Sequence, residues 1–149
     1  MLTAEPALLL DLQPVLNPGT FVFASVPGNL PEPSADIIAS IREPEGMSVI
    51  LEESAARWVG LSPAFECAWI TLMVHSDLDA VGITAEVSSA LARAGISCNV
   101  VAGIRHDHVF VPIVRAGDAM NCLESLSAAV PWSDREKRRE PRERYCAKQ

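Results

Sequence analysis

Apolar and polar positions alternate with two different periods along this chain, and the changes of period mark its elements. Residues 8–16 hold Leu8, Leu9, Leu10, Val15 and Leu16, broken by Asp11, Gln13 and Pro14 and closed by Asn17-Pro18-Gly19, which predicts a short strand and a turn. Residues 21–26 (FVFASV) are β-rich and stop at Pro27-Gly28. The three prolines of residues 27–34 rule out a helix interior, so that stretch is a loop. Residues 37–42 and 47–51 flank Glu43-Pro44-Glu45-Gly46 and predict a hairpin. A short helix over residues 52–59 follows, stopped by Gly60.

The second half repeats this order with a stronger pattern. Residues 65–75 (FECAWITLMVH) predict a long strand that includes Trp69 and is buried on both faces near its centre. Over residues 79–94, Ile83, Val87, Ala90, Leu91 and Ala94 fall on one side of a helix and Glu86, Ser89 and Arg93 on the other, with Gly95 as the stop. Residues 96–103 and 108–114 form a second hairpin around Ile104-Arg105-His106-Asp107, and residues 116–129 return to helical spacing through Ala119, Cys122, Leu123 and Leu126.

Ala39-Ser40-Ile41-Arg42 before the first turn matches Ala102-Gly103-Ile104-Arg105 before the second, 63 residues on. The order is strand, crossover, hairpin, helix, twice. In the second copy the crossover is a helix, which makes a right-handed parallel unit with a hairpin beside it, the ferredoxin-like arrangement. In the first copy it shrinks to the proline-rich loop. The fold class is therefore α+β: two ferredoxin-like units sharing one layered sheet-and-helix structure, the first unit degenerate. The second unit's final strand is missing after Ala129 unless residues 8–16 supply it.

Composition narrows the function. The chain has 149 residues, enough for one real core, and a net charge of −7. Residues 1–132 carry fifteen acids against five arginines, whereas residues 133–149 carry seven bases against four acids. An acidic body repels a phosphate backbone, so nucleic acid is not its partner. No apolar run approaches the ~18–20 residues that cross a bilayer. The first basic residue is Arg42, so the N-terminus lacks the positive region of a signal peptide, and the expected location is cytoplasmic. Cys67, Cys98, Cys122 and Cys146 form no CxxC pair, and the first three read as small core residues. The charged tail, residues 131–149, reads as disordered or as a basic contact for a protein partner.

Candidate chemistry gathers at the second unit's strand-to-helix junction. Ser76-x-x-Asp79 fits a capping box, which alone would make a well-capped helix. The same free N–H groups and helix dipole attract a small carboxylate, Gly82 admits a ligand to the backbone, and Asp77 or Asp79 could accept from an amine. Asn99, polar within an apolar strand, either bonds a ligand or a neighbouring backbone group. His106-Asp107-His108 spans a turn without zinc-motif spacing, and the apolar cysteine contexts disfavour a thiol nucleophile. No phosphate loop, nucleophile elbow or carboxylate pair is present, so neither an enzyme nor a cofactor is expected.

Ala68-Trp69-Ile70-Thr71-Leu72, Val74-His75-Ser76-x-Leu78-x-Ala80-Val81-Gly82-Ile83-Thr84-Ala85, Ala94-Gly95-Ile96-Ser97-Cys98-Asn99-Val100 and His106-Asp107-His108-x-Phe110-Val111-Pro112 closely resemble small stand-alone ACT-domain proteins. The segment from Trp69 to Ala85 is also similar to the ACT modules of CASTOR-type arginine sensors. The resemblance covers residues 65–127 strongly and residues 8–62 more loosely. It implies a degenerate ACT-like half over residues 1–62 and an ACT domain over residues 63–130, with the tail outside. It further implies a non-enzymatic regulatory protein that binds an amino acid at the interface between ACT units, as a homodimer. By position, the ligand residues are Ser76, Asp77, Leu78, Asp79, Val81, Gly82, Ile83 and Thr84, with Asn99 and Val100 from a facing strand. The competing reading is a purely structural interaction or oligomerisation module.

Overall fold

The computed structural model describes residues 12–27, 37–74 and 78–128. In chain order these form β1 (Pro14–Leu16), β2 (Phe21–Val26), β3 (Ile37–Glu43), β4 (Gly46–Glu52), α1 (Glu53–Trp58), β5 (Pro63–Leu72), α2 (Ile83–Arg93), β6 (Asn99–Ala102), β7 (Asp107–Pro112), a 3₁₀ turn (Ile113–Arg115) and α3 (Ala116–Ala128). The strands make one sheet in the order β3-β4-β2-β5-β7-β6, with β1 also beside β5. Every neighbouring pair is antiparallel, so β5 and β6, both antiparallel to β7, run parallel to each other on either side of it. Residues 28–36, most of the expected proline-rich crossover, lie outside the described residues, as does the tail from residue 131.

The strand missing from the end of the second unit comes from the N-terminal part of the chain, as residues 8–16 allowed. Pro14 opposes Leu72 and Leu16 opposes Ile70, so β1 closes the unit made by β5, α2, β6, β7 and α3. Beyond the Asn17-Pro18-Gly19 turn, β2 continues along the same side of β5, with Phe21 opposite Cys67 and Phe23 opposite Phe65. For the first unit, β5 is itself the closing strand, lying beside β2, with β4 and then β3 beyond it. The two units thus lend each other a strand.

Alternation sorts the side chains to the two faces of this sheet. On one face, Ala68, Ile70, Leu72, Val109 and Val111 pack against Ile83, Val87 and Leu91 of α2 and Ala119 and Leu123 of α3. On the same face, Val22, Ala24, Val26, Val49 and Leu51 pack with Ala56 of α1. The opposite face carries Phe21, Ile50, Cys67 and Phe110, all buried, with Phe23, Phe65 and Trp69 against them. Its rings meet edge to face: Phe21 and Trp69 lie 5.3 Å apart between centroids, and Phe23 and Phe110 5.5 Å. Such pairs add roughly 0.5–1.5 kcal/mol beyond the area they bury.

Two helices end where glycine was expected to stop them. Gly60 and Gly95 take positive φ of 75° and 66°. In α1, Leu61 donates to Ala56 O and Gly60 to Arg57 O; in α2, Ile96 donates to Leu91 O and Gly95 to Ala92 O. This is the Schellman pattern, and it leaves Leu61 and Ile96 pointing back into the core. Arg115 adds a charge at the end of α2, donating to Gly95 O and Ala94 O while its Nε meets Asp118 at 2.9 Å.

In the second unit, the strand boundaries differ from those expected. β5 ends at Leu72 rather than residue 75; β6 starts at Asn99, because residues 96–98 close the helix cap and cross to the sheet. β7 starts one residue early, at Asp107, and stops at Pro112, whose ring has no N–H to continue the ladder. Strand exchange makes each half depend on the other. A fragment of residues 63–149 should show no cooperative thermal transition by circular dichroism, and adding residues 1–62 should restore one; cooperative melting of the fragment alone would contradict the shared-strand account.

Candidate functional site

β5 delivers the chain to the start of α2. Val74 is still buried, Met73 is exposed, and its N–H donates to Gln13 O at 3.3 Å. A turn at Leu78 and Asp79 then leads to Gly82, which is the N-cap of α2 with φ 103° and ψ −24°. The helix therefore begins at Ile83, six residues later than a Ser76 N-cap would start it and four later than the expected span over residues 79–94, and Asp79 sits in the preceding turn instead of the first helical turn. The reason is local: Gly82 turns the backbone into a conformation that a side chain would strain, and regular helix starts only after it. Gly82, as the N-cap, has no side chain to cap α2. The N–H groups of Ile83, Thr84 and Ala85 thus form a positive helix end that its own N-cap residue leaves uncapped.

The expected site residues separate into three groups. Ser76 and Asp77 lie outside the described residues. Leu78, Asp79, Val81, Gly82 and Thr84 sit around the start of α2, with Leu78 68% and Val81 63% exposed. Ile83 belongs to the core, 3% exposed, so only its backbone N–H faces the helix end. Asn99 and Val100 are elsewhere. Asn99 opposes Phe110 in the β6–β7 ladder and so shares the aromatic face, away from the helices, whereas Val100 packs under them. In register, Asn99 lies level with Trp69 and not with the end of β5. One chain does not bring Asn99 to the start of its own α2.

His106 and His108 stand on either side of Asp107 at the β6–β7 turn, where Gly103 N–H donates to His106 O at 2.9 Å. Among the described residues, no group of three His, Cys, Asp or Glu side chains converges on a point that would hold a metal ion.

Two successive segments, residues 6–68 and residues 64–125, each match the family model described as ACT domain. The chain belongs to the ACT-domain family. Both units of the fold are thus ACT domains in tandem, and the overlap of the two matches falls on β5, the strand they share. A Vibrio cholerae protein of unknown function, described as a possible transport protein, is 41% identical, with 82% of this chain and 94% of that chain covered and a TM-score of 0.74. The ligand-free regulatory subunit of aspartate kinase from Thermus thermophilus is similar in fold, at 10% identity and a TM-score of 0.57 over 78% of this chain and 97% of that one. A protein from Agrobacterium tumefaciens matches at 18% identity and a TM-score of 0.54, with 73% and 84% covered. A search of curated proteins finds no match. ACT domains are regulatory modules, and no helix among the described residues is long and apolar enough to cross a membrane.

Sequence reading missed a polar cluster on the aromatic face of the second ACT unit. The Trp69 indole N–H donates to His108 Nδ1 at 3.0 Å, and Thr71 Oγ1 lies 3.2 Å from the same nitrogen. Asn17, expected only to make a turn, donates through Nδ2 to Thr71 Oγ1 at 2.9 Å and to Trp69 O at 3.2 Å. The available signal was the two-residue spacing of Trp69 and Thr71, which puts both on one face. Nothing in the one-dimensional pattern set them opposite His108.

Two outcomes follow from the local chemistry. Gly82→Ala places a β-carbon at φ 103° and should cost about 1–2 kcal/mol in denaturant unfolding; an unchanged midpoint would mean that α2 can start without this conformation. Cys67 is fully buried, its thiol donates to Phe21 O at 3.3 Å, and burial pushes its pKa up to about 12. Mass spectrometry after treatment with a disulfide reagent at pH 8 should find Cys67 unmodified in the native protein and modified after unfolding.

Proposed function

We propose that this tandem ACT protein is a non-enzymatic, cytoplasmic regulatory module that binds an amino acid between ACT units of two copies in a homodimer. The observation that carries this reading is the start of α2, where Gly82 is the N-cap and offers no side chain to the first-turn N–H groups. A ligand carboxylate there accepts from Ile83, Thr84 and Ala85 and meets the positive end of the dipole. Asp79, and Asp77 beside it in sequence, supply acceptors for the ligand's ammonium group. Leu78 and Val81, exposed in one chain, gain cover from a second. Asn99 and Val100 lie on β6, an edge of the sheet with a free ladder side, so they reach this site from a second copy rather than from their own chain. Asn99 then offers an amide donor and acceptor to the ligand.

The test is thermal unfolding of the full chain against each of the twenty amino acids at millimolar concentration. A ligand present at 100 times its Kd adds about 2.7 kcal/mol of stability. One amino acid, or a few related ones, should raise the midpoint by several degrees, and Gly82→Val should abolish that rise. A dimer with no shift from any amino acid would favour the structural interaction module over the sensor.

A further inference from the structure

We propose that His108 is a proton-operated latch at the joint between the two ACT units, closed when its ring is neutral and opened by protonation of Nδ1. The geometry assigns the protonation state. An indole N–H can only donate, so the 3.0 Å contact from Trp69 Nε1 requires a lone pair on His108 Nδ1. The ring proton of the closed state is therefore on Nε2. Thr71 Oγ1 already accepts from Asn17 and turns its own hydrogen toward the same Nδ1 lone pair, 3.2 Å away. Protonating Nδ1 sets an N–H against the indole N–H. Thr71 can reverse its hydroxyl and accept; Trp69 has no such option.

The latch spans the strand exchange. Asn17 sits between β1 and β2, where the chain passes from closing one unit to opening the other, and its backbone N–H also donates to Trp69 O at 2.9 Å. Asn17, Thr71, His108 and Trp69 thus form a side-chain relay from the β1–β2 junction to β5 and β7, beside the two Asn17 contacts to Trp69 O. Gly103 makes room for the ring, since a β-carbon there would lie 3.3 Å from His108 Nε2 and 2.8 Å from His106 O. The charges that bear on His108 come from its own hairpin: His106 disfavours the protonated ring and Asp107 favours it, and burial, the largest influence, disfavours it. On the elements packed against it, β1 and β6 carry no titratable side chain, and Glu66, the one carboxylate of β5, alternates onto the other face.

The sign follows from linkage. The folded state holds the His108 pKa below its ordinary 6.5, so between that value and the folded pKa the unfolded chain binds more protons. Stability contributed by the closed latch is complete above pH 6.5 and falls as pH drops through this window. Each unit by which the folded midpoint lies lower is a tenfold preference for the neutral ring.

Long-range proton–nitrogen correlation spectra of the full chain across pH 5–8 test this, with His108 assigned by loss of the other signals in His75→Gln and His106→Gln variants. The expected result is an Nε2–H ring that titrates below 6.5, and a Trp69 indole resonance, assigned with Trp69→Phe, that shifts with the same midpoint. An Nδ1–H ring, a midpoint at or above 6.5, or an indole signal indifferent to that titration would overturn the proposal. His108→Asn, which offers an acceptor near the Nδ1 position and no titration, should hold the wild-type unfolding midpoint at pH 7.5 and flatten its fall toward pH 5. If that variant does not fold, Trp69→Phe, lacking the donor that cannot reverse, should raise the histidine midpoint toward 6.5; an unchanged midpoint counts against the latch.

Discussion

The ladder on both sides of β5 is the constraint on which the rest depends. A central strand must satisfy its backbone N–H and C=O groups along both edges, and β5 does so with β1 and β2 on one side and β7 on the other. Because β5 opens one ACT unit and closes the other, neither unit has a complete sheet without its neighbour. The same pairing places Pro14–Leu16, from the N-terminal part of the chain, in the closing position of the second unit. Contacts between residues more than fifty positions apart, such as Asn17 with Trp69 and Thr71, are a direct result.

From that strand, alternation decides what each face can do. Ala68, Ile70 and Leu72 anchor α2 and α3, and α2 in turn presents its start, with Gly82 as N-cap, at the end of β5. Cys67, Trp69 and Thr71 look the other way, into rings and the His108 cluster. The two features of this protein with chemical character, the positive helix end and the histidine cluster, are therefore separated by the thickness of one sheet. Asn99 falls on the histidine side, away from the start of α2.

The burial pattern also bears on the thiols. Burial pushes the Cys67 pKa up to about 12, the reverse of what activates a nucleophile. Cys98 is shifted in the same direction by burial. Both pack as small apolar side chains, Cys98 against the helix-side core and Cys67 within the aromatic face.

By itself the chain's order of residues determined the class of fold, the repeated strand-hairpin-helix order, and the helix stops at Gly60 and Gly95, because each rests on local periodicity or on one residue's backbone freedom. The family was legible too, in the run from Ala68 to Ala85 and in residues 94–112. The start of α2 was not, since a capping pattern at Ser76 and Asp79 competes with Gly82 and the sequence pattern alone does not rank the two. Which strand closes which unit, and the meeting of Asn17, Thr71, Trp69 and His108, were decided by tertiary structure alone. Strand pairing joins residues whose distance along the chain carries no signal, and a hydrogen bond across such a pairing depends on register, which no local pattern states.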